Sequence, residues 1–196
     1  MCDVPNVRRA HVRRAHVRRA HVRRTDDGRY NSPVSNAKRP SESATEMVQV
    51  VLPNDANPLG FILGGSVMHL IDIAGAIACH RHTRSLLVTA AVDGLQFLHP
   101  IKVGDLIILK SRVTATWSTS LEAEVEVFSE ETLTGVRRLT SRAYLTFVAV
   151  DRENRRLPIP GVILETDAEK QRATEANQRR AERLRARQQL EARAAP

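Results

Sequence analysis

Cysteine is scarce in this sequence, which has only two among its 196 residues. Cys2 lies in a polar segment and Cys79 in an apolar one. Two such residues build neither a disulfide framework nor a four-ligand zinc site. We therefore predict no metal centre, and the scarcity of cysteine favours a reducing compartment, so a cytoplasmic location is expected.

Long apolar runs are also absent. The longest extends from Val67 to Cys79 and is interrupted by His69 and Asp72. It is shorter than the roughly 20 residues that a membrane-spanning helix needs. The first residues contain no uninterrupted apolar segment of the kind that directs secretion. We expect neither a membrane anchor nor export.

An excess of charge is found only at the amino-terminal end. The net charge is +8, and residues 1–40 account for all of it with 11 basic and 3 acidic side chains. A Val-Arg-Arg-Ala-His unit begins at Val7, Val12 and Val17, and a five-residue period builds no apolar face in a helix or a strand. We predict that residues 1–43 form a disordered, basic, low-complexity tail and linker. The alternative is a polybasic arm for nucleic acid or anionic lipid, which the lack of aromatics among the repeated arginines makes unlikely.

The middle of the chain predicts one strand, one long helix and then four strands. The strands are expected at 45–52, 86–98, 105–116, 120–129 and 136–150, and the helix, apolar on nearly every side, around 67–80. No helix separates the last four strands. This order predicts an α+β domain over residues 44–165, with an antiparallel sheet of about five strands wrapped around one long buried helix. In the segment 121–127, three glutamates alternate with apolar residues, which indicates one solvated face.

Residues 166–196 have the composition of a charged surface helix. Thr166 and Glu169 have the spacing of a capping box, and Glu175 and Arg179 are placed for an ion pair on one helix face. The apolar positions are mostly alanines, with Leu184 and Leu190. We expect a solvated appendage, with oligomer contact or RNA binding as alternatives.

Asp72 is the residue that most strongly indicates chemistry, because a carboxylate buried in an apolar helix is costly unless a partner satisfies it. The alternative is a structural anchor or a partner for His69. Gly64 and Gly65 precede the helix, so N–H groups of its first turn are available to a developing oxyanion, although the same pair also suits close packing. Asn57, in the preceding loop, is suited to orient a water molecule or a thioester, or to build an Asx turn.

An ordered set of motifs resembles the signature of the YciA/BACH-type acyl-CoA thioesterases of the hot-dog fold superfamily. The set covers about residues 47–166 and comprises 57–65, Met68, 71–72, 88–101, 103–105, the Thr119-Ser120 pair and 147–151. The resemblance implies a hot-dog fold and hydrolysis of acyl-CoA to coenzyme A and a free acid. Coenzyme A is then part of the substrate, and no separate cofactor is expected. Leu63 and Trp117 depart from the family pattern, and Trp117 is expected to reshape the coenzyme A channel.

The resemblance places catalytic roles on Asp72 and Asn57, and Gly65 is the expected backbone donor. Substrate contacts are expected from Gly64, Thr89, Phe97, Pro100, Ser118, Thr119 and Ser120. Gly65 and Asp72 are separated by about 10 Å along one helix. We therefore predict a site in which Asp72 of one chain faces the Gly-Gly turn and Asn57 of another. This geometry requires a homodimer, and the resemblance implies a hexamer.

Several alternatives stay open at this point. Asp72 is either a general base that activates water or a nucleophile that forms an anhydride. Other functions are an acyl-CoA-binding hot-dog regulator that holds nucleic acid with its tail, and a hot-dog hydratase that uses His69. The candidates for the coenzyme A phosphates, by charge alone, are Lys102, Arg137, Arg138 and Arg142.

Overall fold

The computed structural model describes residues 37–194. Residues 1–36 of the predicted tail and linker lie outside the described residues, as do the last two residues. The described chain has five strands and two long helices, namely β1 (Thr45–Val50), α1 (Gly64–Thr83), β2 (Leu86–Phe97), β3 (Leu106–Thr116), β4 (Ser120–Glu130), β5 (Arg137–Val150) and α2 (Asp167–Ala194). The predicted strands are confirmed to within two residues at each end. Neither helix of this region has the length and apolar character needed to cross a membrane.

The five strands form one antiparallel sheet in the order β1-β3-β4-β5-β2. β1 and β2 are therefore its edges among the described strands. The inner face of the sheet packs against α1 through the apolar side chains of Val67, Leu70 and Ile71. The lack of a side chain at Gly75 lets α1 approach the sheet closely, because a Cβ atom there would lie 3.2 Å from the ring of Phe147. The expected hot-dog layout of a sheet around one helix is confirmed.

One side of α1 is exposed, which corrects the prediction of a helix buried all round. Gly65, Met68 and His69 are exposed, and Asp72 and Ile73 are half-buried. Their spacing of three and four residues places them on the side that faces away from the sheet. Met68 keeps 48% of its surface exposed. An exposed stripe that combines apolar side chains with a few polar ones is typical of a contact surface.

The glutamates of β4 are covered, so the expectation of a half-solvated strand is wrong. Glu122 is 0% exposed and Glu124 is 4% exposed, because α2 lies across the outer face of the sheet. Arg179 of α2 donates hydrogen bonds of 2.7 and 3.1 Å to the Glu122 carboxylate, and Thr114 donates a third of 2.7 Å. The Arg179 guanidinium also stacks 3.5 Å from the ring centroid of Tyr144. The opposite charge of Arg179 and the three hydrogen bonds offset the cost of burying the Glu122 carboxylate.

α2 is therefore part of the domain, and the expectation of a solvated appendage is wrong. Its predicted capping box is present, with hydrogen bonds of 2.9 and 3.2 Å between Thr166 and Glu169. Ala173 and Ala176 are buried against the sheet. The expected pairing of Arg179 with its helix neighbour four residues earlier is replaced by the contact with the sheet.

Ordered structure begins before the predicted boundary at residue 44. Pro40–Glu42 forms a turn of 3-10 helix, and Ser43 is buried. Lys38 donates to the carbonyls of Arg81 and His82 at 3.0 and 2.6 Å, where the last turn of α1 leaves its carbonyls without helical partners. The described part of the predicted linker is thus packed on the domain.

His82 lies in the last turn of α1 and is buried. Its side chain is 0% exposed, and Nε2 donates to the carbonyl of Pro160 at 3.2 Å. Burial lowers the pKa of His82, and the nearby Lys38 ammonium acts in the same direction. The folded protein therefore holds His82 neutral.

We predict that Arg179→Met destabilises the protein by about 3 kcal/mol, because it leaves the buried Glu122 carboxylate without its counter-charge. Lys170→Met is the control, since Lys170 is exposed and pairs with the exposed Asp167 of the same helix. That change should cost less than about 0.5 kcal/mol. Urea unfolding of the three proteins measures both values. Equal losses of stability in the two variants would show that the buried ion pair contributes no more than an exposed one.

We also predict that stability falls as the pH decreases below about 6.5, the ordinary pKa of histidine. Unfolded His82 binds a proton in that range, whereas folded His82 binds one only at lower pH, so protons favour the unfolded chain. His82→Gln keeps an N–H donor for Pro160 and removes the titration. Guanidinium unfolding at pH 7 and pH 5 should show a smaller loss for this variant than for wild type or the exposed-site control His69→Gln. An unchanged loss in His82→Gln would refute the linkage.

Candidate functional site

The loop before α1 is shaped by Asn57. Its side-chain Oδ1 accepts hydrogen bonds from the N–H groups of Leu59 and Phe61 at 3.0 and 3.2 Å. This is the Asx turn foreseen as the structural alternative for Asn57. It uses the oxygen of the amide, and no described residue accepts a hydrogen bond from Nδ2. The amide N–H groups of Asn57 thus remain able to donate to a ligand.

A cavity of about 330 Å³ opens between the first turn of α1 and the end of β2. Four of the predicted site residues line it, namely Asn57, Gly64, Phe97 and Pro100. A Cβ atom on Gly64 would lie 3.5 Å from the Phe97 ring, so the missing side chain widens this space. A mainly apolar cavity with a few polar groups is typical of a small-ligand site.

The amino terminus of α1 borders this cavity without a side-chain cap. Leu63 occupies the cap position and makes no side-chain hydrogen bond to the helix. The N–H groups of the first turn, including those of Gly64 and Gly65, are therefore not satisfied by a capping side chain, and the helix dipole adds partial positive charge there. A Cβ atom on Gly65 would meet nothing within 4 Å. The arrangement suits an oxygen that gains negative charge.

Asp72 lies two turns further along α1. Thr89 of β2 donates a hydrogen bond of 2.8 Å from Oγ1 to Oδ1 of Asp72. Thr89 is exposed and Asp72 is half-buried in the single chain. The carboxylate is thus less buried than the sequence predicted, and it is oriented by Thr89, which was expected to contact substrate.

Asp72 and the cavity are separate within one chain. Asp72 follows Gly64 by eight residues, which is about 12 Å along the helix axis. Thr89 and Phe97 pair with residues of β5 that are six apart, so they are roughly 20 Å apart along the sheet. Asn57 and Gly64 are therefore together at one end of the molecule, and Asp72 with Thr89 lies away from them.

The predicted substrate contacts Ser118, Thr119 and Ser120 form the turn between β3 and β4. Ser120 pairs with Val148, near the end of β5 that lies away from the cavity. None of the three lines the cavity. The structure of one chain therefore does not bring this turn together with Asn57.

Trp117, which precedes that turn, packs against α2. Its Nε1 donates to Asn177 at 3.0 Å, and the guanidinium of Arg180 lies 4.6 Å from its ring centroid. In this chain, Trp117 thus anchors the second helix to the sheet. This contact explains the tryptophan without invoking the substrate channel.

Other cavity residues were not singled out for the site by the sequence. They are Phe61, Ile62, Val67, Leu98, His99, Ile101, Thr140 and Ser141. Five of them lie within the motif segments 57–65 and 88–101 and were accessible to prediction. Thr140 and Ser141 have no local signal, because only the pairing of β5 with β2 brings them to the cavity.

Four basic residues were candidates for binding the coenzyme A phosphates, and two of them form ion pairs within the chain. Arg137 pairs with Glu130, and Arg142 pairs with Glu126 at 2.7 Å. The described residues contain no cluster of three metal-ligating side chains. Lys102 and Arg138 remain as candidates for binding anionic groups.

Comparison with known families gives a match between residues 59–136 and the family described as Thioesterase superfamily. An uncharacterised acyl-CoA thioester hydrolase of Bacillus subtilis is 38% identical over 128 residues, which cover 65% of this chain and 74% of that protein. The human cytosolic acyl coenzyme A thioester hydrolase is 33% identical over 71% of this chain and 37% of its own length. The chain thus spans little more than a third of the human relative.

Solved structures are similar over most of the described chain. An acyl-CoA hydrolase from Staphylococcus aureus, in complex with butyryl coenzyme A, coenzyme A and coenzyme A disulfide, has a TM-score of 0.73 and 34% identity, and the match covers 82% of this chain and 100% of that one. A hexameric acyl-CoA thioesterase has the same TM-score of 0.73 and 38% identity, with 77% of this chain and 97% of that one covered.

The Staphylococcus aureus enzyme was also solved as three alanine variants. They replace an asparagine, an aspartate and a threonine, which are separated by 15 and 17 positions in that chain. Asn57, Asp72 and Thr89 have the same two separations here.

Proposed function

Because the chain belongs to the acyl-CoA thioester hydrolases of the thioesterase superfamily, we propose that it hydrolyses fatty acyl-CoA at a site shared by two subunits. Asp72 of one subunit acts on a thioester held by Asn57 and the first turn of α1 in the other. The products are coenzyme A and a free carboxylic acid.

The observation that carries this proposal is the separation of Asp72 from the cavity. Gly64 and Asp72 are held apart by a rigid helix, so the carboxylate of one chain does not reach a carbonyl group bound near the Asn57 of that chain. A second copy supplies the missing carboxylate if its α1 lies antiparallel to the first. The exposed stripe that includes Gly65 and Met68 is available for that contact.

The edge of the sheet supports the same dimer. β2 is a long edge strand among the described residues, and Leu86, Val88 and Val92 on it are exposed large apolar residues. Such an edge is prone to pair with another strand. A two-fold axis through β2 would join two sheets by the same patch on each subunit. The hexameric thioesterase to which this chain is similar supports further assembly of such dimers.

The chemistry follows from the two half-sites. The thioester carbonyl oxygen accepts hydrogen bonds from the first turn of α1 near Gly65, and Asn57 Nδ2 donates to the thioester or to the attacking water. Thr89 holds Oδ1 of Asp72 in the second subunit. The other carboxylate oxygen takes a proton from water, and the water oxygen bonds to the carbonyl carbon. Collapse of this intermediate breaks the C–S bond, and the departing sulfur of coenzyme A takes the proton that Asp72 removed from water.

Direct attack by Asp72 is the alternative route within the same function. It would form an anhydride that water then opens. The hydrogen bond from Thr89 orients the Asp72 carboxylate in both routes. A cytosolic location is part of the proposal and is supported by the name of the human relative. The family membership favours a hydrolase over the nucleic-acid-binding regulator and the hydratase.

We predict that Asp72→Asn lowers kcat by about 100-fold or more, the usual contribution of a general base, with little change in KM. His69→Asn is the control, because His69 lies one turn away on the same exposed side of α1. Steady-state hydrolysis of butyryl coenzyme A with free-thiol detection measures both. Near-normal kcat in a folded Asp72→Asn protein would rule out either role for this carboxylate.

A mixing experiment tests the shared site. Asn57→Ala and Asp72→Asn should each be inactive, because each change damages both sites of the dimer. After joint unfolding and refolding in equal amounts, half of the dimers carry one intact site, so about 25% of wild-type activity should return. Refolding each variant by itself is the control. If both residues act from the same chain, the mixture should recover nothing.

A further inference from the structure

α2 crosses the outer face of the sheet in a defined direction. Arg172 pairs with Glu124 of β4, and Arg183 lies about three turns later and pairs with Asp93 of β2. β2 is the edge strand, so α2 reaches the edge of the sheet at Arg183. Residues 184–194 continue the helix for about 16 Å beyond that point, the same length of helix that leads from Glu124 on β4 to Asp93 on β2.

The helix side that faces the sheet continues into this overhang. Ala176, Arg179 and Arg183 contact the sheet at steps of three and four residues. The same steps lead next to Arg187 and Leu190. Leu190 is 66% exposed, and among residues 37–194 the Arg187 side chain pairs with Glu191 of its own helix. An apolar side chain thus occupies a sheet-facing position where the sheet of its own chain has ended.

We infer that residues 184–194 form an intersubunit strap, which packs on the outer sheet face of a second copy of this chain. The inference rests on the dimer of the proposed function. The occupant is a second copy because the overhang begins at Asp93 on β2, whose free edge is the proposed dimer edge. A two-fold axis makes the contact reciprocal, so each subunit is covered by the strap of the other.

The strap ties activity to assembly without contacting the reacting atoms. It lies on the outer face of the sheet, whereas α1, the cavity and Asp72 lie on the inner face. Loss of the strap should therefore weaken the dimer, and the shared site should be complete in those dimers that remain.

The test uses Leu190→Glu, which places a charge under the strap. Leu133→Glu is the matched control, because Leu133 is a 95% exposed leucine on the turn between β4 and β5. Sedimentation velocity over a concentration series measures dissociation to single subunits. We expect Leu190→Glu to raise the dissociation constant at least about 10-fold, equivalent to about 1.4 kcal/mol, and Leu133→Glu to leave it unchanged. A second variant that ends at Arg183 should have at least as large an effect.

Several outcomes would overturn the strap. Dissociation constants equal to wild type in both Leu190→Glu and the shortened chain would do so. So would a kcat that stays low at concentrations where Leu190→Glu is fully assembled, since that would place the segment in the site. A wild-type protein that is monomeric at every concentration would remove the strap and the shared site together. A stable wild-type dimer that is insensitive to both changes would remove only the strap.

Discussion

One helix carries both parts of the proposed chemistry, and its rigidity keeps them apart. Gly64 borders the cavity at the first turn of α1, and Asp72 is held by Thr89 two turns later. α1 does not unwind to join them, because it is packed on the sheet where Phe147 lies against Gly75. A second subunit is the simplest way to complete the site. The exposed side of α1 and the apolar edge of β2 then gain a common role as contact surfaces.

The two faces of the sheet are held to their helices by different interactions. The inner face is apolar, whereas the outer face is held to α2 by a buried ion pair between Glu122 and Arg179 and by further arginine pairs. Ion pairs contribute little net stability when desolvation is counted, but they are directional. Here they align α2 across the strands and direct its end past β2. These pairs, together with the packing of Trp117 and Ala176, fix the position of α2, and that position generates the proposed contact with a second copy.

Local patterns predicted the elements well because each is encoded by neighbouring residues. Extended apolar segments marked the strands, with strict alternation at 121–127, and Thr166 with Glu169 marked the start of α2. The errors about β4 and α2 share one cause, which is burial by a distant segment. The alternating glutamates of β4 looked solvated because Arg179 lies 57 residues from Glu122. Conversely, α1 looked buried all round because its exposed stripe includes the apolar residues Met68 and Ile73 beside His69 and Asp72. Within the site, motif resemblance located Asn57 and Asp72, but only strand register could show that Thr140 lines the cavity.

The most direct measurement is a crystal structure of the full chain with an analogue of butyryl coenzyme A that has a methylene group between the sulfur and the carbonyl carbon. This thioether resists hydrolysis and keeps the carbonyl group. In a shared site, the carbonyl should contact Asn57 and the first turn of α1 from one subunit and face the Asp72 carboxylate of the other. Observation of Asn57 and Asp72 from the same subunit at one carbonyl, or of the analogue bound to a single isolated chain with its carbonyl remote from every Asp72, would contradict the shared site.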